Sequence, residues 1–254
     1  MLELNYKSYG QGPALIILHG LFGSLDNWTT HARSLAEAYS VYTLDLRNHG
    51  RSPHSEVWTY EAMADDLLAF MEQHGIYRAH LLGHSMGGKV AMQFAGQHPG
   101  HIDKLVVADM TPKAYEPHHT AILAALQAID LDQIGTRQEA EAALLPRIAQ
   151  AGVRQFLLKS LAREGEAFRW KFNLPVIARD YAQMLAAVEL DYPFDHPTLF
   201  VYGKRSDYLT EGDIPAIRAL FPAARFEGIA DAGHWLHADT PETFLQIVQD
   251  FLVG

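Results

Sequence analysis

Ser85 lies in Gly83-His84-Ser85-Met86-Gly87-Gly88, between an apolar run, Ala79–Leu82, and a segment of helical period, Gly87–Gln97. A serine at such a strand-to-helix turn is held in strained backbone geometry that projects its hydroxyl into the open, while flanking glycines let strand and helix approach closely. The helix that starts there points its positive end at the hydroxyl, which favours an anionic intermediate. A hydroxyl is a poor nucleophile until a base takes its proton. Of fourteen histidines, His234 is best placed for that task, in Asp231-Ala232-Gly233-His234-Trp235. That loop falls between the last apolar strand and the C-terminal helix, on the side where strand carboxyl ends gather. His237 is its neighbouring competitor, whereas His84, His98, His101 and His196 read as solvated or structural side chains. The pair His118-His119 has no companion ligands, so no metal is expected.

An acid must orient the imidazole, and two candidates exist. Asp207 follows the apolar run Thr198–Tyr202, and Asp109 follows Lys104–Ala108. Both strand ends can reach one histidine, and local chemistry does not choose between them. Acyl transfer also creates an oxyanion that needs two preorganised N–H donors. One is the residue after the nucleophile, Met86. The other comes from the turn His19-Gly20-Leu21-Phe22-Gly23-Ser24, with Leu21 the natural donor and Phe22 the second candidate.

The elements that must hold these groups follow from periodicity. Short apolar runs at Ala14–Leu18, Ser40–Leu46, Ala79–Leu82, Lys104–Ala108, Thr198–Tyr202 and Ala224–Ile229 alternate with helical patterns at Trp28–Ala38, Tyr60–His74, Gly87–Gln97 and Pro241–Leu252. That alternation predicts an α/β fold, a mostly parallel sheet covered on both faces. Thr240 is the expected N-cap of the last helix, with Pro241 at its first position. From Thr111 to Pro197 no strand is read, only helical pattern at Thr120–Ile129, Gln138–Ala149, Val153–Leu161 and Pro175–Val188. The expected organisation is a core of residues 1–110 and 198–254 and a helical cap of residues 111–197.

Composition removes other classes. No cysteine is present, which excludes a disulfide framework, a thiolate metal site and a cysteine nucleophile. A formal charge of −10 repels phosphate backbones, so nucleic-acid binding is not expected. No run approaches the ~20 apolar residues of a membrane helix, and no signal peptide is read, so a cytoplasmic protein is expected. Within Arg137–Lys171 basic residues exceed acidic ones; a solvated helix face is the simpler account, and a phosphate contact the alternative. The sequence carries no indication of oligomeric state.

Taken together these stretches resemble the α/β-hydrolase superfamily, more closely the YbfF-type esterases, and are similar to the ABHD11 group. The resemblance rests on His19–Ser24 continuing to Asp26-Asn27-Trp28, on Asp45-Leu46-Arg47-Asn48-His49-Gly50-Arg51-Ser52, on Gly83–Gly88, on Asp109-Met110-Thr111-Pro112, and on Ala232-Gly233-His234-Trp235-Leu236-His237-Ala238-Asp239. It implies an α/β-hydrolase fold with a helical cap and a carboxylesterase-type serine hydrolase without cofactor. The substrate implied is a small-molecule acyl ester, with acyl-CoA thioesters a second possibility. The family pattern assigns the acid to Asp109; the loop after the later strand often lacks a carboxylate in that group, and because this sequence departs from it by carrying Asp207 there, Asp207 stands as the alternative. The same residues also serve cofactor-free perhydrolases and C–C hydrolases, and some relatives only bind ligands.

Overall fold

The computed structural model describes residues 1–165 and 167–254. Among the described residues nine strands form: β1 (Tyr6–Tyr9), β2 (Ala14–Leu18), β3 (Ser40–Leu44), β4 (Ala79–His84), β5 (Ile102–Ala108), β6 (Leu161–Glu164), β7 (Ala167–Trp170), β8 (Thr198–Gly203) and β9 (Ala224–Ile229). The helices are α1 (Thr29–Leu35), α2 (Tyr60–Gln73), α3 (Met86–Gln97), α4 (Thr120–Gln127), α5 (Arg137–Leu144), α6 (Ala151–Lys159), α7 (Leu174–Met184), α8 (Ile214–Leu220), α9 (Leu236–Asp239) and α10 (Pro241–Val253). Seven strands make one sheet in the order β1-β3-β2-β4-β5-β8-β9, parallel except for β1, which runs antiparallel to β3. This is the mostly parallel α/β sheet expected from the alternation, and it agrees with the α/β-hydrolase fold that the resemblance implies.

Period-two alternation divides the interior into two layers. Ile16, Leu18, Leu81, Leu105, Val107 and Phe200 face α2, α3 and the 111–197 segment. Leu15, Ile17, Leu82, Val106, Leu199 and Val201 face α1 and α10. Both faces of the central strands are therefore buried, which is why those strands read as continuous apolar runs. Helix α2 buries Tyr60, Met63, Ala64, Leu67, Phe70 and Met71, a stripe at helical spacing, and Thr59 caps it by accepting from the Ala62 amide. The ion pair Arg47–Asp66, at 2.7 Å and almost fully buried, ties the loop after β3 to α2. Removal of either partner leaves an uncompensated charge inside, a loss of ~3–5 kcal/mol.

Three features add to or correct the expectations. First, β1 has no buried alternation to betray it, because Tyr6–Tyr9 forms a mostly exposed sheet edge. Second, the 111–197 segment is not purely helical: β6 and β7 pair as an antiparallel hairpin, with Gly165 at φ 63° after β6. Strands of four residues are too short to impose a period. Third, Thr240 is the α10 N-cap residue and Pro241 its first helical residue, as expected, but the Thr240 hydroxyl makes no cap bond: it donates to the Leu236 carbonyl at 3.1 Å and closes the short α9. The basic excess of Arg137–Lys171 is partly internal scaffolding, since Arg137 donates to the Leu158 and Leu161 carbonyls and Arg154 to those of Ile148 and Ala149. Among the described residues no helix is long and apolar enough to cross a membrane.

Candidate active site

The chain leaves β2, crosses to β3 on one side, and returns to β4 on the other, so the crevice above β2 and β4 is a topological switch point. Ser85 sits there, between β4 and α3, at φ 53° and ψ −118°. That left-handed backbone is costly for a residue with a Cβ and persists only where the surroundings impose it. Two glycines make the turn possible by close approach. A Cβ on Gly83 would lie 2.2 Å from the Gly87 carbonyl oxygen, and one on Gly87 would lie 2.4 Å from that of Leu18.

His234 Nε2 accepts from Ser85 Oγ at 2.9 Å, and His234 Nδ1 donates to Asp109 Oδ2 at 2.7 Å. Asp109 is fully buried at the end of β5, at φ 49°, a second strained residue. Its carboxylate also accepts from the Gly203 amide at 3.1 Å and from Ser206 Oγ. Asp207, the other candidate acid, is solvent-exposed in the loop after β8, away from the imidazole. That loop contributes differently: Gly203 and Ser206 hold Asp109, and the Tyr208 ring stacks on His234 at 3.9 Å between centroids. His237 is not beside Ser85 Oγ; it stacks on Trp28 at 4.5 Å.

His84, read as a structural side chain, has a definite task. It is buried, and its Nε2 donates to the His234 carbonyl at 2.8 Å, which fixes the loop that carries the imidazole. Only the register of the two loops reveals this pairing; no spacing in the sequence marks it.

The turn after β2 is equally constrained. His19 Nδ1 donates to the Gly20 carbonyl at 2.8 Å while its Nε2 accepts from the Leu46 amide at 3.0 Å. Phe22 lies at φ 61°, and its carbonyl accepts from Ser160 Oγ at 2.7 Å, a bond that reaches in from the 111–197 segment. Among the described residues nothing accepts from the Leu21, Phe22 or Met86 amides. His119 Nδ1 pairs with the Tyr181 hydroxyl at 2.8 Å, so the His118-His119 pair is split between a tyrosine and the site wall.

Two cavities meet at Ser85. One, a narrow cavity of ≈ 50 Å³, runs past Leu21, Trp28, Val153, Phe156, His234 and Trp235. The other, of ≈ 40 Å³, is bounded by Tyr60, Met110, Tyr115, Tyr181, Met184 and Tyr208. Both are mainly apolar, with few polar groups at the junction, the usual character of a small-molecule site.

The site is wrapped in neutral histidines. Burial pulls the pKa of His19 and His119 down to about 4, and that of His49 and His237 to about 3. These side chains are uncharged in the fold but protonated in the unfolded chain below pH 6.5, so the unfolded chain binds more protons there. Stability is therefore fully present above pH 6.5 and drains away as pH falls towards 4, by about 1.4 kcal/mol per pH unit for each histidine. The expected measurement is a urea midpoint that drops clearly from pH 7 to pH 5. An unchanged midpoint would show that these rings are not buried neutral.

Comparison with known proteins accords with this geometry. The alpha/beta hydrolase fold family profile matches residues 13–241. The chain is 40% identical to the esterase YbfF of Escherichia coli (strain K12), over 94% of this chain and 92% of that one. It is 39% identical to the mouse sn-1-specific diacylglycerol lipase ABHD11, over 94% of this chain and 81% of that one. Among solved structures, a marine microorganism esterase superposes with a TM-score of 0.97 at 42% identity, covering 99% of this chain and 100% of that one. With a family match across most of its length and relatives this similar, the chain belongs to the alpha/beta hydrolase fold family.

Proposed function

We propose that this α/β-hydrolase is a serine esterase that cleaves small carboxylic esters through Ser85, His234 and Asp109 by way of an acyl-enzyme. The observation that carries the reading is the unbroken hydrogen-bond chain from Ser85 Oγ through the imidazole to a buried carboxylate. In the first step His234 takes the Ser85 proton as Oγ attacks the ester carbonyl, and Asp109 stabilises the imidazolium that forms. The oxyanion falls against the Met86 amide and that of Leu21, at the positive end of α3. His234 then protonates the departing oxygen, and water activated by the same imidazole releases the acid. Because Nε2 must reach the leaving oxygen, the alcohol occupies the cavity beside His234, Trp235 and Phe156. The acyl group then occupies the cavity bounded by Tyr60, Met110 and Met184. Residues 111–197 act as the cap over both.

No step calls for a cofactor. The relatives' names make simple esters and acylglycerols the first substrates to test, and thioesters of the same acyl groups the second. A panel of p-nitrophenyl esters of graded chain length, run beside labelling with a fluorophosphonate, tests the reading. Turnover with a defined chain-length optimum and stoichiometric labelling of Ser85 are expected. In Met184→Ala the optimum moves to longer acyl chains, because a methylene-sized change in such a pocket alters discrimination by about 10-fold or more. A chain that turned over none of these esters, or that labelled elsewhere than Ser85, would defeat the proposal.

A further inference from the structure

Lys89 is a lysine where the fold offers it no carboxylate. It follows Ser85 by one helical turn on α3, and its side chain is completely buried. A buried ammonium without a counter-ion is unfavourable unless its donors are all used. Its Nζ donates to the Lys113 carbonyl at 2.8 Å and to the Ala186 carbonyl. The rings of Tyr115 and Tyr60 face it at 5.1 and 5.8 Å from Nζ to centroid. Such cation–π contacts replace part of the lost hydration.

The position of the two acceptors matters more than their number. Lys113 lies on the connection leaving β5, and Ala186 on the connection returning to β8, so one side chain grips both ends of the 111–197 segment. These ends also touch each other, through the Val188 amide to the Pro112 carbonyl and the Tyr115 amide to the Leu185 carbonyl, both at 2.8 Å. Tyr60 adds a bond from its hydroxyl to the Met184 carbonyl at 2.8 Å. Tyr60, Tyr115, Met184 and Leu185 all border the cavity assigned above to the acyl group.

We propose that Lys89 is a positioning residue that clamps the two ends of the cap onto α3 and thereby fixes the depth of the acyl cavity. The inference rests on the esterase reading of the site and adds the residue that sets its acyl selectivity. Burial lowers the pKa of Lys89 to about 8. An amine that has lost its proton still carries two N–H donors for two carbonyls, so the clamp does not depend on charge.

The test compares the wild-type chain with Lys89→Met, which keeps the stem of the side chain as far as Cε and removes its donors, and with Lys89→Gln, which retains an amide donor. The readout is kcat and KM across the graded esters, with the rate of fluorophosphonate labelling of Ser85 measured on the same samples. In Lys89→Met the preference for the best acyl length over one two carbons longer should fall about 10-fold, mainly through KM, with Lys89→Gln intermediate. A merely structural lysine would lower the melting temperature and leave that preference where it was. A preference unchanged in a variant that still labels at Ser85 would overturn the clamp alone, as would equal losses for every ester. If neither variant folded, Lys89 would be a determinant of folding and the proposal would also be overturned. Failure of the wild-type chain to label at Ser85 would instead sink the esterase reading beneath it.

Discussion

Ser85→Ala should reduce kcat for ester hydrolysis by roughly a million-fold, and the double variant Ser85→Ala/His234→Ala should lose little more. The reason is the geometry of a single machine. With Oγ gone, the imidazole 2.9 Å away has no proton to take, and removing the imidazole as well subtracts nothing further. What activity persists comes from the amides of Leu21 and Met86 acting on bound ester with water as the attacker. The alanine keeps the strained φ of 53° and the close contacts of Gly83 and Gly87, so the thermal melting temperature should stay within a few degrees of wild type. Steady-state kinetics on the best p-nitrophenyl ester gives the answer. If the losses of the two single variants multiplied in the double, Ser85 and His234 would be acting independently.

Asp109→Asn should cost about 10⁴-fold in kcat, and Asp207→Asn no more than about 10-fold. Three donors converge on the Asp109 carboxylate: His234 Nδ1, the Gly203 amide and the Ser206 hydroxyl. An asparagine has one acceptor oxygen and an NH₂ that must point at one of these donors. Facing Nδ1, that NH₂ turns the imidazole to the tautomer whose Nε2 carries the proton, and Nε2 can then no longer accept from Ser85. Asp207 is exposed and touches none of these atoms, so its amide is nearly silent. The reverse ranking of the two variants would move the acid to the loop after β8.

The serine turn was legible in the sequence because its physics leaves so few choices. Only glycine tolerates the approach of Gly83 to Gly87 and of Gly87 to Leu18, so the motif is visible without any knowledge of the fold. His234 was legible from its place after the last strand. Local chemistry did not choose between the candidate acids, which only the resemblance ranked, because β5 and β8 are neighbours in the sheet and their carboxyl ends open on the same crevice. What separates the candidates is the left-handed turn at Asp109, which aims one side chain inward, and a backbone angle leaves no mark on an aspartate. Lys89 escaped notice for another reason. A lysine in a helical pattern reads as solvated, and only the packing of the 111–197 segment over α3 buries it. The hairpin of β6 and β7 and the edge strand β1 were missed because neither has a buried face long enough to impose a period.

The bond from Ser160 to the Phe22 carbonyl bears on how proteins of this architecture can be recombined. A second bond between the same two parts of the chain runs from the Asn173 backbone amide to the Asn48 backbone carbonyl at 2.8 Å. Residues 111–197 therefore do not rest on a finished surface; they help to hold the turn after β2 and the loop after β3 in place. A chimera that takes this segment from one parent and the sheet from another keeps the Ser160 bond only if a hydroxyl stands at that position, and both bonds only if the backbones at residues 22, 48 and 173 are presented at the same places. The natural unit of exchange is the segment together with the two loops it grips.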